Sequence, residues 1–142
     1  MTPGETDPRV VRRHLLALRR AVEELERHAG KPISALDDPD ELWTVERGLQ
    51  LCAQNALDTA THIAAGAGRD VPDYATAIDV LSDLGVITRE FAAEFRSVAG
   101  FRNILVHGYL EVDREILHHV LNKRLTEFTQ FAAASEAFLS HL

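Results

Sequence analysis

The sequence contains a single cysteine, Cys52, and aromatic residues make up only 6% of it. One cysteine excludes an internal disulfide and a cysteine-based metal cluster, and it fits a reducing, cytoplasmic setting. No apolar run approaches the roughly 20 residues that a membrane-spanning helix needs, so we expect a soluble protein with no membrane partner. The first residues also lack the basic and apolar regions of a signal peptide.

Basic residues are in the minority, because 15 lysines and arginines stand against 22 aspartates and glutamates, for a net charge of −7. This balance argues against a surface built for bulk nucleic-acid binding, although a local cluster can still bind RNA. Five of the cations fall close together near the N-terminus, namely Arg9, Arg12, Arg13, Arg19 and Arg20. They form either a solvated helix face or a strip that guides an RNA backbone or holds a partner.

The apolar residues, which with aromatic residues and cysteine make up 46% of the chain, recur at helical spacing. Polar caps and glycines divide the chain into predicted helices that begin at Asp7-Pro8, Asp38-Pro39, Tyr74, Thr88 and Asp113. We therefore predict an all-α fold, an antiparallel bundle of about five helices, in one domain over residues 1–142 with residues 1–6 flexible. Cys52 lies on the apolar stripe of the second helix, which predicts a buried residue and not a nucleophile.

The segment Phe101–Tyr109 combines an arginine, an amide, a histidine and a tyrosine, at Arg102, Asn103, His107 and Tyr109. Arginine presents a fork of donors that fits phosphate oxygens, and histidine transfers protons near neutral pH, so the pair suits chemistry at a phosphodiester. Five residues of continuous helix turn by about 140°, so Arg102 and His107 converge only if the helix unwinds between them. Gly108 is predicted to end the helix, with Arg102 in its last turns, His107 near its exit and Tyr109 in the loop beyond.

The pattern Arg-x4-His-x-Tyr resembles the HEPN family, and more closely the HepT-like toxins of HepT–MntA toxin–antitoxin pairs. The resemblance covers roughly residues 45–131 and includes blocks around Glu46-Arg47, Asp58, Leu84-Gly85 and Arg102-Asn103, in that order. It implies a HEPN-like helical domain that is a metal-independent endoribonuclease. In that domain Arg102 and His107 are catalytic, Asn103 and Tyr109 support them, and Asp58 is a secondary candidate.

The resemblance also implies a mechanism and partners. His107 would remove the proton from a ribose 2′-hydroxyl, which attacks the adjacent phosphorus, while Arg102 stabilises the charge of the transition state. One histidine is few for a base and an acid, and the resembling family dimerises around a shared cleft, so we expect a homodimer. The other partners would be an RNA substrate and an MntA-like nucleotidyltransferase antitoxin that transfers AMP to Tyr109. No H-E-x-x-H pattern or Cys/His cluster occurs, and we expect no metal and no cofactor.

Other interpretations stay open at this point. The protein can be a non-catalytic HEPN module that docks a nucleotidyltransferase partner or a nucleotide, or a structural dimer domain. In the latter, Arg102 and His107 only bond the last carbonyls of their helix. Asp58 can pair with His62 at the surface, and Tyr109 can pack against the last helix or stack on a base. The intact Arg-x4-His favours the catalytic interpretation.

Overall fold

The structure, a computed structural model, describes residues 5–107 and 112–142, and every regular element within these ranges is helical. The helices are α1 (Pro8–Glu26), α2 (Pro39–Gly66), α3 (Tyr74–Asp83), α4 (Arg89–Phe95), α5 (Val98–His107), α6 (Arg114–His119) and α7 (Leu125–Leu139). A 3-10 helix, Ile33–Asp37, precedes α2, and a π-helical turn, Val120–Arg124, links α6 to α7. The predicted all-α bundle of about five helices is confirmed, since α4 with α5 and α6 with α7 each correspond to one predicted helix.

Side-chain caps begin the helices where the sequence predicted. The Asp7 carboxylate accepts a hydrogen bond from the backbone N–H of Arg9 at the start of α1. Asp38 caps α2 in the same way, and Thr88 and Asp113 cap α4 and α6. Each such cap satisfies a backbone donor that the helix leaves free, which stabilises the helix by about 1 kcal/mol.

Helix α2 is the centre of the bundle, because it packs against α1, α3, α5, α6 and α7. In its predicted apolar stripe Val45, Leu49, Cys52 and Ile63 are completely buried, and Leu42 is partly buried. Burial raises the pKa of the Cys52 thiol to about 12, so the thiol stays protonated at neutral pH. The prediction that Cys52 is a buried core residue is therefore confirmed.

Helices α1 and α2 run antiparallel. The ring Nδ1 of His14 lies 3.0 Å from Asn55 Oδ1 towards one end, and the Nδ1 of His28 lies 2.7 Å from Glu41 Oε1 at the other. Between these contacts Gly48 lets the helices approach closely, since a Cβ at this position would lie 2.5 Å from Leu25 Cδ2.

The fourth predicted helix is divided near Ser97, which the sequence pattern did not predict. The carbonyl of Glu94 accepts hydrogen bonds from Ser97 Oγ and from Arg124 Nη2, both at 2.9 Å. Within the described residues it makes no bond to the backbone N–H of Val98, which would continue the helix. Arg124 also donates to Ser97 Oγ at 2.8 Å and to both carboxylate oxygens of Glu127. This anchor sets the direction in which α5 leaves the junction, and hence the position of the helix that carries the motif.

Some sequence predictions fall on residues 1–4 and 108–111, which lie outside the described ranges. Of the predicted flexible segment 1–6, only residues 5 and 6 are described. Directly after this segment, the N–H of Asp7 donates to His62 Nε2 at 3.1 Å. Gly108 and Tyr109 lie outside the description. Over the ranges that are described, no helix is both long and apolar enough to span a bilayer.

Candidate active site

Arg102 lies half-buried in α5, and neutral groups hold its guanidinium. Its Nε donates to Gln54 Oε1 at 2.9 Å, and its Nη1 donates to Asn103 Oδ1 at 3.2 Å. Its Cζ lies over the ring of Tyr74, 5.3 Å from the centroid, which is a cation–π distance. These contacts orient the planar group without an opposite charge.

Gln54 connects Arg102 to the carboxylate of Asp58. The Gln54 Nε2 donates to Asp58 Oδ1 at 2.9 Å and lies 3.3 Å from the Tyr74 hydroxyl. No ion pair joins Arg102 to Asp58 or to any other carboxylate in the described part of the chain. Asp58 therefore orients the amide that orients the arginine, and the positive charge remains available to an anionic ligand.

His107 is the last residue of α5, and its side chain is exposed. The helix is continuous from Arg102 to His107, so the unwinding that would bring the two side chains together is absent. Five residues of helix turn by about 140°, and the two side chains leave α5 on different sides. The prediction that Arg102 lies in the last turns and His107 at the exit is confirmed, but one chain does not bring the pair to a single point.

Two residues of this cluster, Gln54 and Tyr74, were missed by the sequence analysis. Gln54 stands four residues before Asp58, so the two share a face of α2, and this spacing was the available signal. Tyr74 begins α3, and only the packing of α3 beside α2 brings its ring under Arg102. Asp58 bonds Gln54, and no hydrogen bond links it to His62 among the described residues, so the surface pair proposed for them is not formed.

The helix-capping alternative fails for Arg102. Its described hydrogen bonds run to the side chains of Gln54 and Asn103, and not to the last carbonyls of α5. The remaining titratable groups do not add a metal centre, because the described residues contain no group of three histidine, cysteine or acidic side chains arranged around one point.

The five arginines near the N-terminus are all exposed and lie within an arc of about 120° on the side of α1 that faces away from the core. Arg9 and Arg12 each pair with a carboxylate, at 3.4 and 3.2 Å. Arg19 faces α7, whereas its neighbour Arg20 faces α2. The cations therefore form one solvated face of α1, on which Arg19 lies towards α7 and Arg20 towards α2.

The sequence of the chain matches a family described as ribonuclease HepT-like over residues 18–135. The chain belongs to the HepT-like ribonuclease family. The mRNA nuclease HepT of Shewanella oneidensis is 25% identical over 118 residues, which cover 82% of this chain and 89% of that protein. A protein of Archaeoglobus fulgidus named as a putative RNase is 32% identical over 79 residues, 56% of this chain and 60% of its own length. The resemblance seen in the motif is therefore confirmed and extends towards both ends of the chain.

Solved structures share the fold of this HepT-like chain. The cytosolic protein YutE of Bacillus subtilis, described as of unknown function, matches with a TM-score of 0.84 at 20% identity, over 96% of this chain and 92% of YutE. A Shewanella oneidensis HEPN toxin, solved tri-AMPylated and in complex with an MNT antitoxin, matches with a TM-score of 0.79 at 24% identity. That match covers 90% of this chain and 97% of the toxin.

Proposed function

We propose that this protein is the toxin of a toxin–antitoxin pair, a metal-independent endoribonuclease of the cytoplasm that acts through Arg102 and His107. The observation that carries the proposal is the guanidinium of Arg102, oriented by Gln54, Asn103 and Tyr74 with no carboxylate of the described residues against it. A fixed cation without a counter-ion is what the extra negative charge of a phosphorane-like transition state requires.

In the proposed reaction His107 takes the proton of a ribose 2′-hydroxyl, and the 2′-oxygen attacks the adjacent phosphorus. The bond from phosphorus to the 5′-oxygen breaks, and that oxygen receives a proton, which leaves a 2′,3′-cyclic phosphate and a 5′-hydroxyl. Arg102 binds the non-bridging oxygens throughout, and Asn103, whose Oδ1 accepts from Arg102, supports it in this role. Asp58 has a positioning role, because it acts on Arg102 through Gln54.

The active form proposed is a homodimer in which the ends of two α5 helices share one cleft. Two features of the single chain support this. Arg102 and His107 leave α5 on different sides, so a second chain is needed to supply the missing partner of each. Next to them Ile104 is 41% exposed, which leaves apolar surface uncovered beside the charged groups.

The decisive experiment compares RNA cleavage by the purified wild type, Arg102→Ala and His107→Ala. We expect each variant to lose activity by about 30- to 1,000-fold, equivalent to about 2–4 kcal/mol of transition-state stabilisation. His119→Ala, which removes another exposed histidine, is the matched control and should cleave like wild type. Cleavage should survive a chelator and stop when the scissile nucleotide is deoxyribose. Wild-type rates in both motif variants would refute the assignment.

The second part of the proposal is control by a nucleotidyltransferase antitoxin that attaches AMP to Tyr109. The tri-AMPylated state of the related HEPN toxin, in complex with its MNT antitoxin, supports this. Each AMP joined through a phosphodiester adds about one negative charge, which would compete with RNA for Arg102.

To test it, the protein is co-expressed with an MntA-type nucleotidyltransferase, and its intact mass and modified peptides are measured. We expect AMP on Tyr109, loss of RNA cleavage, and escape from modification in Tyr109→Phe. A neutralised complex with an unmodified Tyr109 would instead indicate inhibition by binding alone.

A second candidate function is a non-catalytic module that binds a nucleotidyltransferase. The separation of Arg102 and His107 on one continuous helix favours it if the protein does not dimerise. A wild-type protein that forms a complex with the nucleotidyltransferase but does not cleave RNA at any concentration would establish this alternative.

A further inference from the structure

Trp43 is the only tryptophan of the chain, and 78% of its surface is exposed. It stands near the start of α2 at the edge of an open groove of about 630 Å³ between α1 and α2. The small residues Ala17, Ala21 and Gly48 line this groove, so the surface beside the indole is low and accessible. A large aromatic ring held in water on a rigid helix has apolar surface to offer to a ligand.

Two arginines border the same groove, Arg20 from α1 and Arg47 from α2. Both are exposed, and within the described ranges neither forms an ion pair. The carboxylate of Glu24 also lines the groove, but it pairs with Arg27 at 3.3 Å. The groove therefore offers two uncompensated guanidinium groups beside an aromatic face, on a protein whose net charge is −7. This is a local positive field and stacking surface of the kind that binds a single nucleic-acid strand.

Two residues of the groove lie on the same face of α2 as Gln54, which holds Arg102. Arg47 and Trp43 precede Gln54 by seven and eleven residues. Both spacings fall within about 20° of a whole number of helical turns, so the three side chains share one face. At about 1.5 Å per residue, Arg47 lies roughly 10 Å and Trp43 roughly 16 Å along the axis from the residue that holds Arg102. A strand of a few nucleotides spans this distance.

We propose that Trp43, Arg20 and Arg47 form a platform that binds single-stranded RNA beside the cleavage site. A base flanking the scissile phosphodiester stacks on Trp43, and the intervening phosphates bind the two arginines. Asp40 lies on the same face of α2 beyond Trp43, and its negative charge repels the phosphates of an RNA strand that would continue past the indole. The inference rests on the proposed function, since it assumes that the strand whose phosphate reaches Arg102 continues along α2.

The charges of the groove favour RNA over a second copy of the chain. In a two-fold symmetric interface centred on the groove, each patch meets its own copy, so Arg20 and Arg47 of both chains would lie in one interface. Like charges placed in this way repel, and the cost rises as water is excluded. A phosphate backbone has the complementary charge.

The single tryptophan provides a direct test. A short single-stranded oligoribonucleotide of mixed sequence is titrated into His107→Ala, and the emission of Trp43 is followed at several salt concentrations. We expect quenching of the Trp43 emission on binding.

In anisotropy measurements with labelled RNA, Trp43→Ala should bind about 5- to 100-fold more weakly, and Trp43→Phe should retain most of the affinity. Arg20→Ala and Arg47→Ala should each reduce the slope of log K against log salt by about 0.7. Arg19→Ala, which removes an exposed cation facing α7, is the matched control and should bind like its parent.

The outcomes separate the platform from the proposed catalysis. If RNA quenches Trp43 and the platform variants bind RNA more weakly, but the wild type does not cleave RNA, the platform is supported and the proposed ribonuclease function is wrong. If the wild type cleaves RNA, but RNA binding neither quenches Trp43 nor depends on it, the platform is wrong and the ribonuclease function stands. If light scattering shows that Trp43→Ala converts the dimer to a monomer while its RNA affinity is unchanged, the groove is an interface between copies and the proposal is wrong. Circular dichroism of each variant verifies that the helical fold is intact.

Discussion

At the scale of single residues, the feature that matters most is how the charge of Arg102 is held. A carboxylate would orient the guanidinium as well as Gln54 does, but it would also neutralise it. The amide of Gln54 accepts from Arg102 and donates to Asp58, so it separates the positive charge from the negative one. The side chain that orients Arg102 is therefore a neutral spacer, and the chemistry of the site depends on its remaining neutral.

Gln54→Glu tests this directly. A glutamate would form an ion pair with Arg102 and lie against Asp58, so the arginine would bind a substrate phosphate less well. We expect RNA cleavage to fall by roughly 10- to 100-fold, about 1.4–2.7 kcal/mol, with the helical fold retained. Gln130→Glu, the same change on the exposed side of α7, is the control and should leave the rate unchanged. A fully active Gln54→Glu would mean that the neutrality of this position is not needed.

At the scale of elements, the close approach of α1 to α2 depends on the absence of a side chain at Gly48. A Cβ there would lie 2.5 Å from Leu25 Cδ2 and 2.8 Å from its Cγ, and Leu25 is buried in the core. Gly100, in α5, is also helical but has no neighbouring atom within 4 Å of such a Cβ. The two glycines therefore allow the packing cost of a methyl group to be separated from its effect on helix propensity.

We predict opposite effects of alanine at these two positions. Gly48→Ala should lower the free energy of unfolding by roughly 1–3 kcal/mol, because the core must shift to admit the methyl group. Gly100→Ala should raise it by about 0.5–1 kcal/mol, since alanine loses less backbone entropy in a helix. Urea unfolding followed by circular dichroism measures both. A stabilised Gly48→Ala would show that α1 and α2 are not in close contact at this point.

At the scale of the whole molecule, the divergence of Arg102 and His107 makes the active unit larger than one chain in our proposal. Each bundle would contribute an arginine to the histidine of its partner. The exposed Ile104 beside the motif gives the two α5 ends apolar surface to bury against each other. If this is correct, two inactive variants can restore one another.

Mixing Arg102→Ala with His107→Ala tests the shared cleft. The shared cleft of a mixed dimer contains two Arg102–His107 positions: one lacks both groups, and the other holds an intact arginine and an intact histidine from different chains. Random exchange of subunits should therefore recover about a quarter of the wild-type activity. Light scattering and native mass spectrometry verify that mixed dimers form. If mixed dimers form without recovered activity, Arg102 and His107 of the same chain act together. A wild-type monomer with full activity would exclude the shared cleft.

The sequence by itself determined the helical class, the starts of the helices and the segment that carries the motif, because these depend on residues close together in the chain. Caps such as Asp38 and Thr88 satisfy backbone groups two or three residues away, and the apolar periods record which face of each helix is buried. The position of His107 at the end of α5 follows from the same local signals.

Only the tertiary structure decided what surrounds the motif. The break before α5 depends on Arg124 reaching a carbonyl 30 residues earlier in the chain, and Arg102 is held by Gln54, 48 residues away. That Arg19 faces α7 and Arg20 faces α2 depends on where these two helices pack. No local pattern encodes these contacts, because each arises when the buried stripes of different helices meet and bring distant polar groups together as a consequence.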